Sequence, residues 1–110
     1  MMGILNEARK VEEEIREALP TLPRINFRVT RSRRVYGLAY WWKNEIALSR
    51  PIMEKHPETL KATVTHEIAH IIQYEMNPFC DEVHGKHFRD VCKMLSPIVG
   101  VSTHDLVWRY

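Results

Sequence analysis

A chain of 110 residues, 45% hydrophobic and 27% charged, is long enough for one hydrophobic core and reads as a single domain over 1–110. No run approaches the roughly 18 apolar residues of a membrane span, and "MMGILNEARK" lacks the basic and apolar regions of a signal peptide. Two cysteines are too few for a secreted disulfide framework, which points to a cytoplasmic protein with reduced thiols. The formal net charge of +2 is unevenly spread: no acid occurs from Ala18 to Asn44, a window holding Arg24, Arg28, Arg31, Arg33, Arg34 and Lys43, which suits an anionic partner.

Ile4, Leu5, Ala8, Val11, Ile15, Ala18 and Leu19 recur at helical spacing, and Pro20 and Pro23 end that helix. The period then changes. "INFRVT" alternates as a strand does, "RVYGLAYWW" is rich in β-formers, and "EIALS" is short and alternating. With turns at Arg31–Arg33 and at Lys43–Asn44, the expectation is a three-stranded antiparallel meander. Ser49 suits the N-cap of a short helix through Pro51 to Lys55, and Pro57 the first turn of a helix running to about Tyr74. A third helix is expected from Lys86 to Ser96, stopped by Pro97, with Phe88, Val91, Cys92 and Leu95 on one face. The tail "VSTHDLVWRY" is too short and mixed for assignment.

The chemistry lies in "THEIAH", Thr65 to His70. At about 100° per residue, His66, His70 and Glu67 share one sector of the helix, while Leu60, Val64, Ile68, Ile71 and Ile72 form its back. Residues four apart stand one above the other, so both imidazoles can reach one ion, with the carboxylate beside them. This is the H-E-x-x-H arrangement of zinc peptidases. About 3% of shuffled chains of this composition would contain it, so a third ligand must decide between a metal site and two surface histidines. Position 76 is Met, which removes the pattern with a third His six residues on. Downstream, "CDEVHGKHF" offers His84 and His87 equally, with Cys80, Asp81 and Glu82 close by. Asp81, Glu82, Asp90 and Asp105 are candidates to hold the second ring nitrogens.

The stretch "RRVYGLAYWWKNEIALSRPIMEKHPETLKATVTHEIAHIIQYE", followed by "HGKHF", resembles the SprT-like metalloprotease family, which includes the Spartan DNA–protein crosslink proteases. The similarity covers residues 25 to about 95. The resemblance implies an α+β zincin-type core, one catalytic Zn²⁺ and hydrolysis of peptide bonds in protein substrates. It also implies that the His of "H-G-x-x-F", His84, is the third metal ligand beside His66 and His70. Many bacterial members carry a C-terminal zinc ribbon with two C-x-x-C pairs; this chain has none and is expected to be a minimal catalytic core.

On this reading Glu67 is the general base, and Tyr74, His104 and Tyr110 are candidate donors to the oxyanion. "NEIALS" is expected at the sheet edge above the cleft, where an extended substrate would add as a strand. Trp41 and Trp42 would alternate across a strand, leaving one exposed near Arg31, Arg33 and Arg34. Those five residues are the candidate contacts for single-stranded DNA, with a solvated hairpin tip as the alternative. Two other readings share the motif. A repressor-cleaving type of zincin would use a downstream Glu as third ligand. A non-enzymatic nucleic-acid- or protein-binding module would close a structural zinc with Cys80.

Overall fold

The computed structural model describes residues 3–80 and 82–108. The fold is α+β: the described residues form five helices and a small mixed sheet of three strands. The helices are α1 (Ile4–Ala18), α2 (Arg50–Lys55), α3 (Leu60–Met76), α4 (Lys86–Val99) and α5 (Thr103–Trp108). The strands are β1 (Asn26–Thr30), β2 (Gly37–Tyr40) and β3 (Glu45–Ser49). No described helix is long and apolar enough to cross a membrane.

α1 buries Ala8, Val11 and Ile15, the three- and four-residue stripe expected of it. The same face buries Glu12, which a sequence pattern reads as a solvent charge. Its carboxylate accepts from Arg9, from Arg16 Nη2 at 2.6 Å and from the Ile25 N–H at 2.8 Å. Arg9 donates further to the Ile25 carbonyl at 2.8 Å, and Arg16 to that of Pro23 at 2.8 Å. This buried charge cluster ties α1 to the start of β1.

The expected antiparallel meander is corrected in its pairing. The strand order is β1-β3-β2: β3 runs parallel to β1 and antiparallel to β2. Ile46, Ala47, Leu48 and Ser49 are all buried, because small residues on the second face of β3 let it pack on both sides and take the centre. "NEIALS" is therefore not the edge above the cleft; β2 is. The Lys43–Asn44 turn does form: Asn44 closes it at φ 51°. Trp41 and Trp42 do not alternate across a strand, since Trp41–Lys43 is a turn of 3-10 helix.

Ser49 caps α2 as expected, accepting from the Ile52 N–H at 3.0 Å. Pro57–Thr59 form a 3-10 turn before α3, which extends to Met76. α3 is buried from Leu60 almost without break to Gln73, packed by α1, α4, α5 and the sheet. Pro97 does not stop α4; only one backbone bond is lost there, and the helix ends at Gly100, φ 74°, whose N–H bonds to the Ser96 carbonyl at 2.9 Å.

Candidate metal centre

α3 places His66, Glu67 and His70 on its buried wall, facing a cleft of about 560 Å³ roofed by β2. The loop before α4 adds His84. The ligand atoms of His66, His70 and His84 lie within 4.8 Å of one another. His70 Nε2 is 3.2 Å from His66 Nε2 and 3.2 Å from His84 Nε2. Phe88, fully buried one turn into α4, forms the floor: its ring stacks on His70 at 4.3 Å and meets His66 and His84 at 4.9 and 5.0 Å. That contact gives the aromatic of "H-G-x-x-F" its work.

The ring protons are located by their neighbours. His66 Nδ1 lies 2.6 Å from the Leu106 carbonyl, and a carbonyl only accepts, so Nδ1 carries the proton and Nε2 is bare. His70 Nδ1 lies 3.0 Å from Gln73 Oε1 and donates to it, so its Nε2 is bare as well. Two lone pairs facing each other at 3.2 Å repel unless a positive charge lies among them. Protons are disfavoured there: burial lowers the pKa of His66 and brings that of His70 to about 4, and desolvation lowers His84 at the rim. A metal cation fits this donor set.

Glu67 stands beside the cluster. Burial raises its pKa to about 7, opposed by a hydrogen bond from the Ala39 N–H. The Ser49 N–H bonds to the Tyr36 carbonyl at 3.0 Å, so the alternation of an antiparallel ladder turns the backbone groups of Gly37 and Ala39 away from β3, toward the cleft. β2 can approach α3 this closely because position 37 has no side chain: a Cβ there would lie 3.0 Å from Thr63 Cγ2.

Other expected residues are dispersed. His87 is exposed and lines a separate pocket with Asn77 and Phe79. Among the described residues neither Cys80 nor a glutamate joins the histidine cluster. Among the described residues the second ring nitrogens of His66 and His70 meet no carboxylate; Asp90 pairs with Lys86 at 2.8 Å, and Asp81 lies outside the described residues. The Leu106 carbonyl and the Gln73 amide do that work instead. Gln73, three residues after His70, could have been found by helical spacing; the α5 carbonyl left no signal in the sequence. Tyr74 lines the cleft, stacked on Trp41 with ring centroids 4.9 Å apart. His104 is exposed on α5, and Tyr110 lies outside the described residues. Of the five basic and aromatic candidates, Arg34, Trp41 and Trp42 line the cleft; Arg31 and Arg33 are exposed outside it.

Over residues 6–105, nearly the whole chain, the sequence matches the SprT-like family. No solved structure matches the chain.

Proposed function

The chain belongs to the SprT-like family, and from that premise we propose that it is a zinc-dependent metallopeptidase of the cytoplasm. One observation carries the reading: two imidazoles of fixed tautomer and a third from a loop bring their Nε2 atoms together beside a buried glutamate, at an open strand edge. His66, His70 and His84 would hold the ion. Four nitrogens placed tetrahedrally at a typical zinc distance stand about 3.3 Å apart, close to the 3.2 Å that separates His70 Nε2 from each of the other two. Zinc bound there supplies Lewis acidity to the scissile carbonyl and acidifies the attacking water.

The remaining work falls to the chain. A substrate in extended form pairs with the outward Gly37 N–H and C=O and the Ala39 C=O of β2, which reads little of its sequence. Apolar substrate side chains lie against the stacked Trp41 and Tyr74. Glu67, poised near neutrality by its burial, takes a proton from the attacking water at a carboxylate oxygen and returns it to the leaving amine. The free thiols Cys80 and Cys92 suit a reducing compartment.

Glu67→Gln tests the chemistry, because it keeps the shape and removes the base. Zinc content and melting temperature stay at wild-type values while cleavage of an unfolded protein substrate falls at least about 10²-fold. Undiminished turnover in this variant would rule the mechanism out.

A second reading concerns where substrates are met. Trp42 is 64% exposed at the cleft mouth, with Arg34 on the same cleft and Lys43 over the neighbouring Tyr40 ring at 5.1 Å. Exposed aromatic and basic groups at one mouth favour single-stranded DNA, so the substrates proposed are proteins on or crosslinked to DNA.

A further inference from the structure

Gln73 lies on α3 one turn beyond His70, with 1% of its surface exposed. Its amide has two chemically distinct ends. Oε1 is 3.0 Å from His70 Nδ1. Nε2 is 2.9 Å from the Val83 carbonyl, 3.2 Å from the Glu82 carbonyl and 3.4 Å from Cys80 Sγ. The two carbonyls can only accept, which fixes the amide with its nitrogen toward the loop and its oxygen toward the imidazole. Val83 directly precedes His84. One side chain thus holds a histidine of the helix and the backbone that delivers a histidine of the loop.

We infer that Gln73 is the positioning residue of the metal centre. Its oxygen keeps the His70 proton on Nδ1 and so leaves Nε2 bare. Its nitrogen pins residues 82–83, so that His84 Nε2 arrives 3.2 Å from His70 Nε2. Without Oε1, the His70 ring is free to carry its proton on Nε2, where it blocks a cation. Without the amide nitrogen, the Val83 carbonyl loses this donor, the Glu82 carbonyl keeps the Cys80 thiol and the Gly85 N–H, and the loop loses its anchor on α3. A carboxylate at this position could serve the imidazole but not the carbonyls, and an apolar side chain could serve neither. The inference rests on the metal reading given above, and it concerns how the site is assembled rather than the reaction.

The test compares wild type, Gln73→Glu and Gln73→Leu by zinc affinity in chelator competition, and by nitrogen NMR of the His70 ring in metal-free protein. Leu fills a similar volume without polar atoms; Glu keeps the acceptor and loses the donor. The Leu variant is expected to lose about 10- to 100-fold in zinc affinity and the Nδ1–H tautomer. The Glu variant keeps the tautomer, loses less affinity than Leu, and shows faster amide exchange at residues 82–84. Should Gln73→Leu not fold, Gln73→Met takes its place. A side chain that only fills space gives the reverse order, with Leu binding like wild type and Glu, a buried charge, binding worst; that order overturns the inference. Wild-type protein that binds no zinc overturns the metal reading itself, a failure visible before any variant is compared.

Discussion

A Cβ on Gly37 would lie 3.2 Å from Cγ of Glu67, so the edge strand and the proposed base meet through the absence of a side chain. Gly37→Ala forces β2 away from α3 by a few tenths of an ångström and strains the hydrogen bond from the Ala39 N–H to Glu67. The expected outcome is a loss of about 1–3 kcal/mol in chemical denaturation, the usual range for an overpacked site, with cleavage reduced and zinc content unchanged. An Ala variant as stable and active as wild type would show that this approach has slack to spare.

The ligand set is tested one residue at a time. His66→Ala, His70→Ala and His84→Ala are each expected to lose most bound zinc, because two imidazoles make a weak site. His87→Ala, whose ring lines another pocket, keeps it. Metal analysis after dialysis reads all four; the reverse pattern for His84 and His87 would reassign the third ligand.

Glu12 anchors α1 to the segment before β1 through two arginines and a backbone N–H. Glu12→Ala strips the Ile25 N–H of its acceptor and both arginines of their countercharge, though the arginines keep their bonds to the Ile25 and Pro23 carbonyls. The arginine side chains keep 32% and 28% of their surface in water, so the expected loss is about 3 kcal/mol, the low end for a broken buried pair. Urea denaturation measures it; a loss under about 0.5 kcal/mol would class the cluster with ordinary surface ion pairs.

Thr63 Oγ1 is buried on α3 and has no hydrogen-bond partner among the described residues. Thr63→Val keeps the shape and removes the stranded hydroxyl. Stability should rise by about 1 kcal/mol, seen as a Tm increase of roughly 4–8 °C. A fall in Tm would mean that the hydroxyl is satisfied in solution.

The nucleic-acid reading has a salt signature. Each phosphate neutralised on a single strand contributes about −0.7 to the slope of log affinity against log salt. Replacing Arg31, Arg33 and Arg34 together by Ala should flatten that slope by about 2 if all three make contact; since only Arg34 lines the cleft, Arg34→Ala alone separates a cleft contact from contacts spread along the 31–34 segment. Trp42→Ala should weaken binding by about 1–3 kcal/mol with the slope kept, since stacking releases no counterions. Wild-type protein that binds no labelled oligonucleotide at low ionic strength would remove DNA from the account.

How far the sequence carried depended on the range of the interaction. Local chemistry was legible: the Ser49 cap, the positive-φ Asn44, and the helical spacing that sets His66, Glu67 and His70 on one wall. Pairing between segments was less so. "EIALS" alternates by residue type, but Ala47 and Ser49 are small enough to be buried, and that decides for a central strand over an edge. Glu12 looked like a solvent charge because its partners lie as far off as Ile25. The choice of His84 over His87 came from family resemblance, and the geometry beneath it is the loop held by Gln73, which spacing alone does not encode.

The two helix histidines are secured by different kinds of information. His70 depends on the identity of residue 73, so a single codon change can undo it. His66 depends on a main-chain oxygen, which every amino acid possesses; Leu106 can be exchanged for another core residue and the contact persists. What His66 needs is the length of the path through Gly100 and Ser102 that brings that oxygen into reach. An insertion or deletion of one residue there would strip the ring of its partner while leaving every residue of the site intact. Substitution scanning would register Gly100 for its positive φ, and only changes in chain length would expose the reach that the path gives His66.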